Sequence, residues 1–270
     1  MKYLYIFLLL GFYSISHADP ACTLNSNNEI TDTSDCNVEA EEYIVNIWNI
    51  GLCTTRPSAG SLSSCYFWDV ETGDYVITPT TQSDLKPTSE IPAGNYTWLI
   101  VVQDPTFKIR SRATFASSKN GYNSTSGSKC WTRGSSVNLY GLDLSNNLNW
   151  NAECGTSFPS TTPQNSITYD SLTRHNFLAS GSVTHPSGKV EDLFLAKEDL
   201  TIASNTSEAL RMVSITPLSS VIRMHSGTDE GINKFEINLD RSVVSAISID
   251  STTDISGIFI GPVEVTLSQL

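Results

Sequence analysis

The sequence predicts an all-β protein, built as one or more antiparallel β-sandwiches that are stabilised by disulfides and interrupted by a long loop insertion. Three observations lead to this prediction. Runs of β-branched and aromatic residues recur between stretches rich in Ser, Thr, Asn, Gly and Pro. Several of these runs alternate apolar and polar residues, as half-buried strands do. Six cysteines follow an apolar N-terminal segment, a combination that is typical of exported proteins.

The N-terminus has the pattern of a secretory signal peptide. A lysine precedes apolar residues 4–13, and the small residues Ser16 and Ala18 follow them. We therefore predict cleavage before Asp19 and place residues 1–18 outside the fold. The expected location is secreted, periplasmic or on the cell surface. No later segment is long and apolar enough for a membrane-spanning helix, so we expect no transmembrane segment after cleavage.

The charge of the chain disfavours two classes of partner. With 16 basic and 28 acidic residues, the formal net charge is −12. A protein this acidic is repelled by phosphate backbones and by anionic lipid surfaces. We therefore expect neither nucleic-acid binding nor docking on an anionic membrane.

The cysteines predict a disulfide framework. Sequential pairing is favoured because it closes short loops around polar, turn-rich segments; the predicted pairs are Cys22–Cys36, Cys53–Cys65 and Cys130–Cys154. A zinc site is the alternative. It is disfavoured because no pair has the short spacing of zinc ligands and no histidine lies nearby.

The chain divides into three segments after the signal peptide is set aside. Residues 19–42 form a polar N-terminal arm, and residues 43–160 form a β-sandwich that includes the insertion 116–160. Residues 161–270 form a C-terminal β region, which belongs either to the same sandwich or to a second one. The chain is long enough for either arrangement.

The first strand after the arm is predicted at Tyr43–Leu52. Two short runs, Tyr66–Val70 and Tyr75–Ile77, then flank the turn residues Glu71-Thr72-Gly73-Asp74 and predict a β-hairpin. The acidic residues of this turn also resemble a metal-binding loop, but the hairpin accounts for them without a ligand.

A central strand is predicted at Tyr96–Val102, after the turn signal Ile91-Pro92-Ala93-Gly94-Asn95. Both of its faces are apolar, so we expect it to be covered on both sides. From Phe107 to Phe115 the apolar residues alternate with polar ones, which predicts a strand with one solvated face. That face carries the basic stripe Lys108, Arg110 and Arg112. Its alternatives are a simple solvated surface and a contact for an anion or polysaccharide.

These residues carry a resemblance. The strand YIVNIWNIGL, the Trp-bearing hairpin and the segment IPAGNYTWLIV resemble secreted bacterial β-sandwich domains of prealbumin-like or carbohydrate-binding-like type. In such domains a PAG-x-Y turn precedes the central strand. The resemblance covers residues 43–115. It implies a cell-envelope domain and supplies no catalytic residue.

The insertion contains a run of oxygen-bearing side chains that resembles an EF-hand loop. The comparison fails because Leu148 stands where the turn glycine is required and Cys154 where the bidentate glutamate is required. We predict a polar-faced strand there and no metal site. Aromatic residues at Trp98, Trp131, Tyr140 and Trp150 also suit contact with a sugar, and Trp150 is our candidate ligand-facing residue in the insertion.

The last hundred residues again predict strands, at Leu193–Ile202, Leu210–Ile215, Val221–His225, Lys234–Leu239, Val243–Ile249 and Ile258–Leu267. The last of these is apolar to the C-terminus. Such a strand either pairs within its own chain or completes the sheet of a neighbouring subunit, which would make the protein self-associate.

No pattern in the sequence predicts an enzyme. The histidines His175, His185 and His225 form no zinc-hydrolase motif, and we expect each at the surface or in a strand. No nucleophile elbow or phosphate loop is present. We therefore expect a non-enzymatic, cofactor-free surface or envelope protein with a structural, adhesive or filament-forming role. The alternative is a carbohydrate-binding module. A glycoside hydrolase is less favoured, since it requires two carboxylates facing each other across a cleft.

Overall fold

A computed structural model describes residues 16–17, 20–58, 60–69, 74–77, 91–138, 151–168, 181–185, 187–225, 235–240, 245–249, 251–260 and 264–269. Their regular structure is β, apart from two single 3₁₀ turns at Tyr122–Ser124 and Thr206–Glu208. The predicted all-β class is confirmed. The strands are β1 Ser16–His17, β2 Cys36–Val38, β3 Glu42–Cys53, β4 Cys65–Asp69, β5 Asp74–Ile77, β6 Gly94–Gln103, β7 Thr106–Arg110, β8 Arg112–Asn120, β9 Ser126–Thr132, β10 Ser136–Asn138, β11 Ala152–Gly155, β12 Asn165–Thr168, β13 Gly181–Thr184, β14 Val190–Ala196, β15 Arg211–Met224, β16 Phe235–Asp240, β17 Ser245–Ile249, β18 Ile255–Ile260 and β19 Glu264–Gln269.

The strand β3 organises the largest sheet, whose order is β1-β13-β14-β15-β6-β3-β7-β12-β10. Its first residues, Glu42–Ile44, pair with β7, whereas its second half pairs with β6. The strand therefore continues from one half of the sheet into the other. All pairings in this sheet are antiparallel except β1–β13 and β10–β12. The strand β1 lies within residues 1–18, which the sequence placed outside the fold; in the full chain its Ser16 and His17 pair with Val183 and Thr184.

The predicted hairpin around Glu71-Thr72-Gly73-Asp74 is wrong. The strands β4 and β5 exist, but they do not pair with each other; both pair with β3, one after the other along its length. The twelve-residue β3 offers a long row of backbone hydrogen-bonding groups, and both segments satisfy it. A closed hairpin would have left part of this edge uncovered.

The central position of β6 is confirmed, because it lies between β3 and β15. Its Leu99 and Val101 belong to the largest hydrophobic cluster, which we call the first core. Its Ile100 and Val102 belong to a cluster on the opposite face, together with Phe194, Val213 and Ile215, which we call the outer cluster. The first core joins both halves of the large sheet and includes Tyr43, Val45, Phe107, Ile109, Ile167, Leu195, Met212 and Leu267. Because both faces of β6 are covered, its near-continuous apolar sequence is explained.

A second core lies apart from the first and joins the two ends of the chain. It forms between the sheet β8-β9-β11 and the sheet β2-β17-β18. The arm residues Ile30 and Cys36 pack there with Phe115 and Ile247. The strand β2 pairs directly with β17, so the N-terminal arm is part of a sheet.

The stretch predicted as a loop insertion contains regular strands. Residues 116–120 lie in β8, and β9, β10 and β11 follow within 116–160. The loop was predicted from the high content of Ser, Asn and Gly. Composition alone does not show which positions of a strand face inward. In β9 the inward positions hold Cys130 and Thr132, both fully buried. Residues 139–150 lie outside the described residues.

The C-terminal strands overlap their predicted positions, with three differences. The strand β14 spans Val190–Ala196 and not the predicted Leu193–Ile202, and the predicted strand Ile258–Leu267 corresponds to two strands, β18 and β19. The strand β15 spans both predicted strands Leu210–Ile215 and Val221–His225, since the chain passes between Pro217 and Ile222 by a register shift and not by a turn. The last strand, β19, pairs with β16 of the same chain, and its Leu267 is buried in the first core.

Candidate functional site

The alternation predicted for Phe107–Phe115 is confirmed, but the basic stripe does not present free cations. The chain splits into β7 and β8 at Ser111, and Phe107, Ile109, Ser111, Ala113 and Phe115 are all buried. On the opposite face, Arg110 Nη1 lies 3.3 Å from Glu42 Oε2, and Arg112 Nε lies 2.5 Å from Glu41 Oε1. Glutamates of the acidic arm therefore form ion pairs with two of the three basic residues that the sequence proposed as an anion contact. Lys108 is half-buried on β7.

The register of β8, β9 and β11 places a row of charged and aromatic side chains on the outer face of this sheet. Arg112 is opposite Trp131, and Trp131 is opposite Glu153. The next row contains Thr114, Lys129 and Gly155. Residues directly opposite on neighbouring strands lie within side-chain contact distance. The row therefore surrounds Trp131 with a guanidinium, an ammonium and a carboxylate.

The indole of Trp131 lies against a glycine. A Cβ added to Gly155 would come 3.0 Å from the far edge of the Trp131 ring. The missing side chain thus lets the indole approach the backbone of β11. Phe158, which follows β11, meets Trp131 edge to face with ring centroids 6.3 Å apart. Such aromatic pairs favour this geometry because the ring edge is positive and its face negative.

Two cations pack on Phe158. The guanidinium carbon of Arg112 lies 5.2 Å from the ring centroid, and Lys129 Nζ lies 5.5 Å from it. Trp131 and Phe158 are each partly exposed. We call the set Arg112, Lys129, Trp131, Glu153 and Phe158 the aromatic face. It joins Arg112 and Trp131, which the sequence singled out as candidate contact residues, to three residues that the sequence did not propose for a site. One of these, Glu153, was predicted only to lie on the polar face of a strand.

A disulfide lies directly behind the aromatic face. Cys130 and Cys154 are register partners on β9 and β11, and their bond crosses between the two strands. Both cysteines point into the second core, while their neighbours Trp131 and Glu153 point outward. The cross-link therefore fixes the two strands that carry the central residues of the site. The other two disulfides, Cys22–Cys36 and Cys53–Cys65, are also those predicted.

The edge strand β8 is anchored to the loop 251–254 by a buried cation. Lys119 is 2% exposed, and its Nζ donates to the carbonyl of Thr252 at 2.8 Å while lying 5.2 Å from the Phe115 ring centroid. Burial lowers the pKa of Lys119, and the charge of Asp254 partly opposes the shift. Hydrogen bonds from Asn120 and Ser251 lower the pKa of Asp254. These contacts hold β8 from its inner side.

The other aromatic candidates are placed differently. Trp98 is half-buried in the outer cluster, with the Arg56 guanidinium 5.4 Å from its ring. Tyr140 and Trp150, including the proposed ligand-facing role of Trp150, lie outside the described residues.

Sequence reasoning missed Lys129, Glu153 and Phe158. One signal was available for two of them. Strand alternation around Cys130 places Lys129 and Trp131 on one face, and the same rule around Cys154 places Glu153 outward. The position of Phe158 depends on the path of the chain after β11, which no local pattern encodes.

One close group of metal-binding residue types occurs in the described ranges. It consists of Cys22, Asp32 and Cys36. The two sulfur atoms are bonded to each other, so neither is a thiolate that could bind a metal. Asp32 accepts a hydrogen bond from the backbone N–H of Thr23. The group is therefore explained as part of the folded arm.

No family model, curated protein or solved structure matches this chain. The resemblance to prealbumin-like or carbohydrate-binding-like domains stays a prediction. Within the part of the chain that the structure covers, no helix is long and apolar enough to cross a membrane.

Proposed function

We propose that this protein is an exported, non-enzymatic protein of the cell surface or envelope with an adhesive role, and that the aromatic face is its contact surface. The observation that carries the proposal is the Trp131–Phe158 pair, held partly exposed on strands that a disulfide cross-links. Aromatic residues and arginine supply most of the energy in protein contact surfaces, chiefly where they are held rigidly.

The disulfides are compatible with this placement. Three disulfides are stable in an oxidising compartment, outside the cell or in a periplasm. They would stabilise the folded state of the protein after export.

A filament built by donation of the C-terminal strand is less favoured. The strand β19 pairs with β16 along its whole length, from Glu264 to Gln269. Donation to a neighbouring subunit would first break these backbone hydrogen bonds and expose Leu267. Self-association through this strand therefore requires a rearrangement that an adhesive role does not.

Adhesion is tested with the protein itself. Beads coated with residues 19–270 are counted on epithelial cells, on mucin-coated glass and on bare glass. We expect attachment to at least one surface, and a large loss of attachment for Trp131→Ala. Tyr66→Ala is the matched control, because Tyr66 is a 46% exposed aromatic residue on β4, outside the aromatic face. Beads that attach nowhere, or that attach equally well with both variants, would contradict the proposal.

A further inference from the structure

We infer that the aromatic face binds a pyranose ring of a neutral carbohydrate. The inference rests on the proposed adhesive function and specifies its ligand class. It follows from three properties of the face: a partly exposed indole, a balanced set of charges, and hydrogen-bonding groups of both kinds beside the ring.

The indole supplies the apolar part of the site. One face of a pyranose carries mainly C–H groups, and stacking it on an aromatic ring removes apolar surface from water. Trp131 lies in the middle strand of a three-stranded sheet, so neighbours on both sides can reach a ring stacked on it. In the adjacent row, Gly155 has no side chain that could obstruct a ligand beside the indole.

The charges exclude a polyanion as the preferred ligand. Arg112 is paired with Glu41 at 2.5 Å, and the remaining charges of the face, Lys129 and Glu153, are opposite in sign. The two basic residues of the face, Arg112 and Lys129, are thus balanced by Glu153 within it and by Glu41 beside it. The whole chain has a net charge of −12, which repels a polyanion at long range. A neutral ligand is repelled neither by the acidic groups of the face nor by the net charge of the chain.

The polar groups match sugar hydroxyls. A hydroxyl both donates and accepts hydrogen bonds, whereas a carboxylate only accepts and an ammonium only donates. Glu153 lies directly opposite Trp131, and Lys129 lies two residues before it on the same side of β9. A pyranose stacked on the indole would therefore have a carboxylate at one edge and an ammonium at another. Most ligand sites combine an apolar surface with a few such polar groups.

The site needs little reorganisation to bind. The Cys130–Cys154 bond fixes the spacing of β9 and β11, and the Trp131–Phe158 contact orients the indole. Groups ordered before binding lose less conformational entropy when the ligand arrives.

Affinity gel electrophoresis of residues 19–270 tests the inference. The native gels contain amylose, β-1,3-glucan, galactomannan or xylan as neutral probes, and polygalacturonate as the anionic probe. We expect at least one neutral polysaccharide to retard the protein. Trp131→Ala should weaken the affinity about tenfold or more, the effect of losing one aromatic stacking partner. Tyr66→Ala should leave it unchanged.

Two further variants keep the test independent of folding. Glu153→Gln and Lys129→Met preserve the indole and the disulfide, and each should weaken retardation several-fold by removing one partner of a hydroxyl. Circular dichroism checks that every variant is folded. The inference fails if no neutral polysaccharide retards the protein, if only polygalacturonate does, or if the three substitutions leave retardation intact.

The adhesion assay separates this inference from the proposed function. Attachment of beads that depends on Trp131 but persists in excess of every neutral polysaccharide would overturn the carbohydrate inference and leave adhesion standing. Retardation by a neutral polysaccharide without attachment to any surface would instead contradict the adhesive role.

Discussion

Gly127 on β9 lies so close to the backbone of Gly155 on β11 that there is no room for a side chain. A Cβ at Gly127 would lie 2.0 Å from the carbonyl carbon and oxygen of Gly155. Because these atoms belong to a backbone that the neighbouring disulfide holds, they cannot move aside freely. The glycine at position 127 is therefore required by the close approach of two strands.

Gly127→Ala should destabilise the protein by about 1–3 kcal/mol, the range for overpacking a tight site. Urea unfolding followed by circular dichroism measures the change. Gly94→Ala is the control, because a Cβ there meets its nearest neighbour, a ring carbon of Tyr96, at an ordinary 3.5 Å. Equal stability of the two variants would show that the β9–β11 approach is looser than described.

His185 departs from its predicted place at the surface or in a strand. It follows the end of β13, is buried, and its Nε2 lies 2.8 Å from Glu191 Oε2. The other carboxylate oxygen of Glu191 accepts a hydrogen bond from Ser214 on β15. The carboxylate lies between the serine and the histidine, so Ser214 is not arranged as a nucleophile activated by His185. The cluster links the end of β13 to β14 and β15.

Glu191→Ala should destabilise the fold by about 3 kcal/mol, since it leaves two buried polar partners unsatisfied. Glu198→Ala is the control, because Glu198 is exposed in the loop that follows β14. Thermal and urea unfolding measure both. If Glu191→Ala lowers the free energy of unfolding by no more than Glu198→Ala does, water replaces the Glu191 carboxylate at little cost.

At the scale of elements, the loop between β14 and β15 covers the outer cluster and depends on one carboxylate. Leu200 and Ile202 of this loop pack against the face formed by β6, β14 and β15. Glu208 accepts hydrogen bonds from the backbone N–H and the hydroxyl of Ser204, and lies 3.2 Å from Lys197 Nζ. These bonds lower the pKa of Glu208 to about 2.

The loop should therefore respond to acid. A carboxyl whose pKa is depressed in the folded state stabilises that state above its ordinary pKa, here 4.5, and this stabilisation disappears as the pH falls to about 2. We expect NMR titration of the Glu208 side chain to show the low pKa. When the pH falls from 4.5 to about 2, the Glu208→Gln variant should lose less stability than the wild type, because it lacks the contribution of the Glu208 carboxylate. A midpoint near 4.5 in the wild type would contradict the contacts with Ser204.

The strand pair β9–β11 provides a second prediction for an element. Replacing both Cys130 and Cys154 by Ala should cost about 2–4 kcal/mol of stability, as the loss of a native disulfide does. The double variant should also weaken any ligand binding that depends on Trp131, because the two strands lose their fixed spacing. Chemical unfolding and affinity electrophoresis measure the two effects. Binding that stays intact would show that sheet hydrogen bonds alone hold the face.

The whole molecule is held together by pairings between distant parts of the chain. The strand β6 needs β15 on one edge, and the second core needs β17 and β18 from the C-terminal part and β2 from the arm. Buried polar contacts link the same parts: Ser245 donates to Ser111 at 2.8 Å, and Ile258 donates its N–H to Asn151 at 2.6 Å. Neither core consists of one continuous segment.

A fragment that ends at residue 160 should therefore not fold. It lacks β15, the neighbour of β6, and β17, the neighbour of β2. We expect a proton NMR spectrum with little dispersion and rapid digestion by trypsin, whereas residues 19–270 should unfold in a single transition. A well-dispersed spectrum from the fragment would show that 43–160 is an independent domain, as one division of the sequence predicted.

The sequence by itself determined the fold class, the disulfide pairs, the central strand and the faces of Phe107–Phe115. Each of these follows from short-range chemistry: residue type, alternation with a period of two, and the small loops that sequential disulfides close. It also identified Arg112 and Trp131, two of the five residues of the aromatic face, from their types alone.

Only the tertiary structure decided which strands pair and what the candidate site contains. The strands β4 and β5 pair with β3 and not with each other, and β2 pairs with β17 from the far end of the chain. Polar residues of the presumed insertion became strands because a second core covers one of their faces. Local patterns cannot encode these results, since each depends on backbone groups and apolar surfaces that distant segments supply only when the chain is folded.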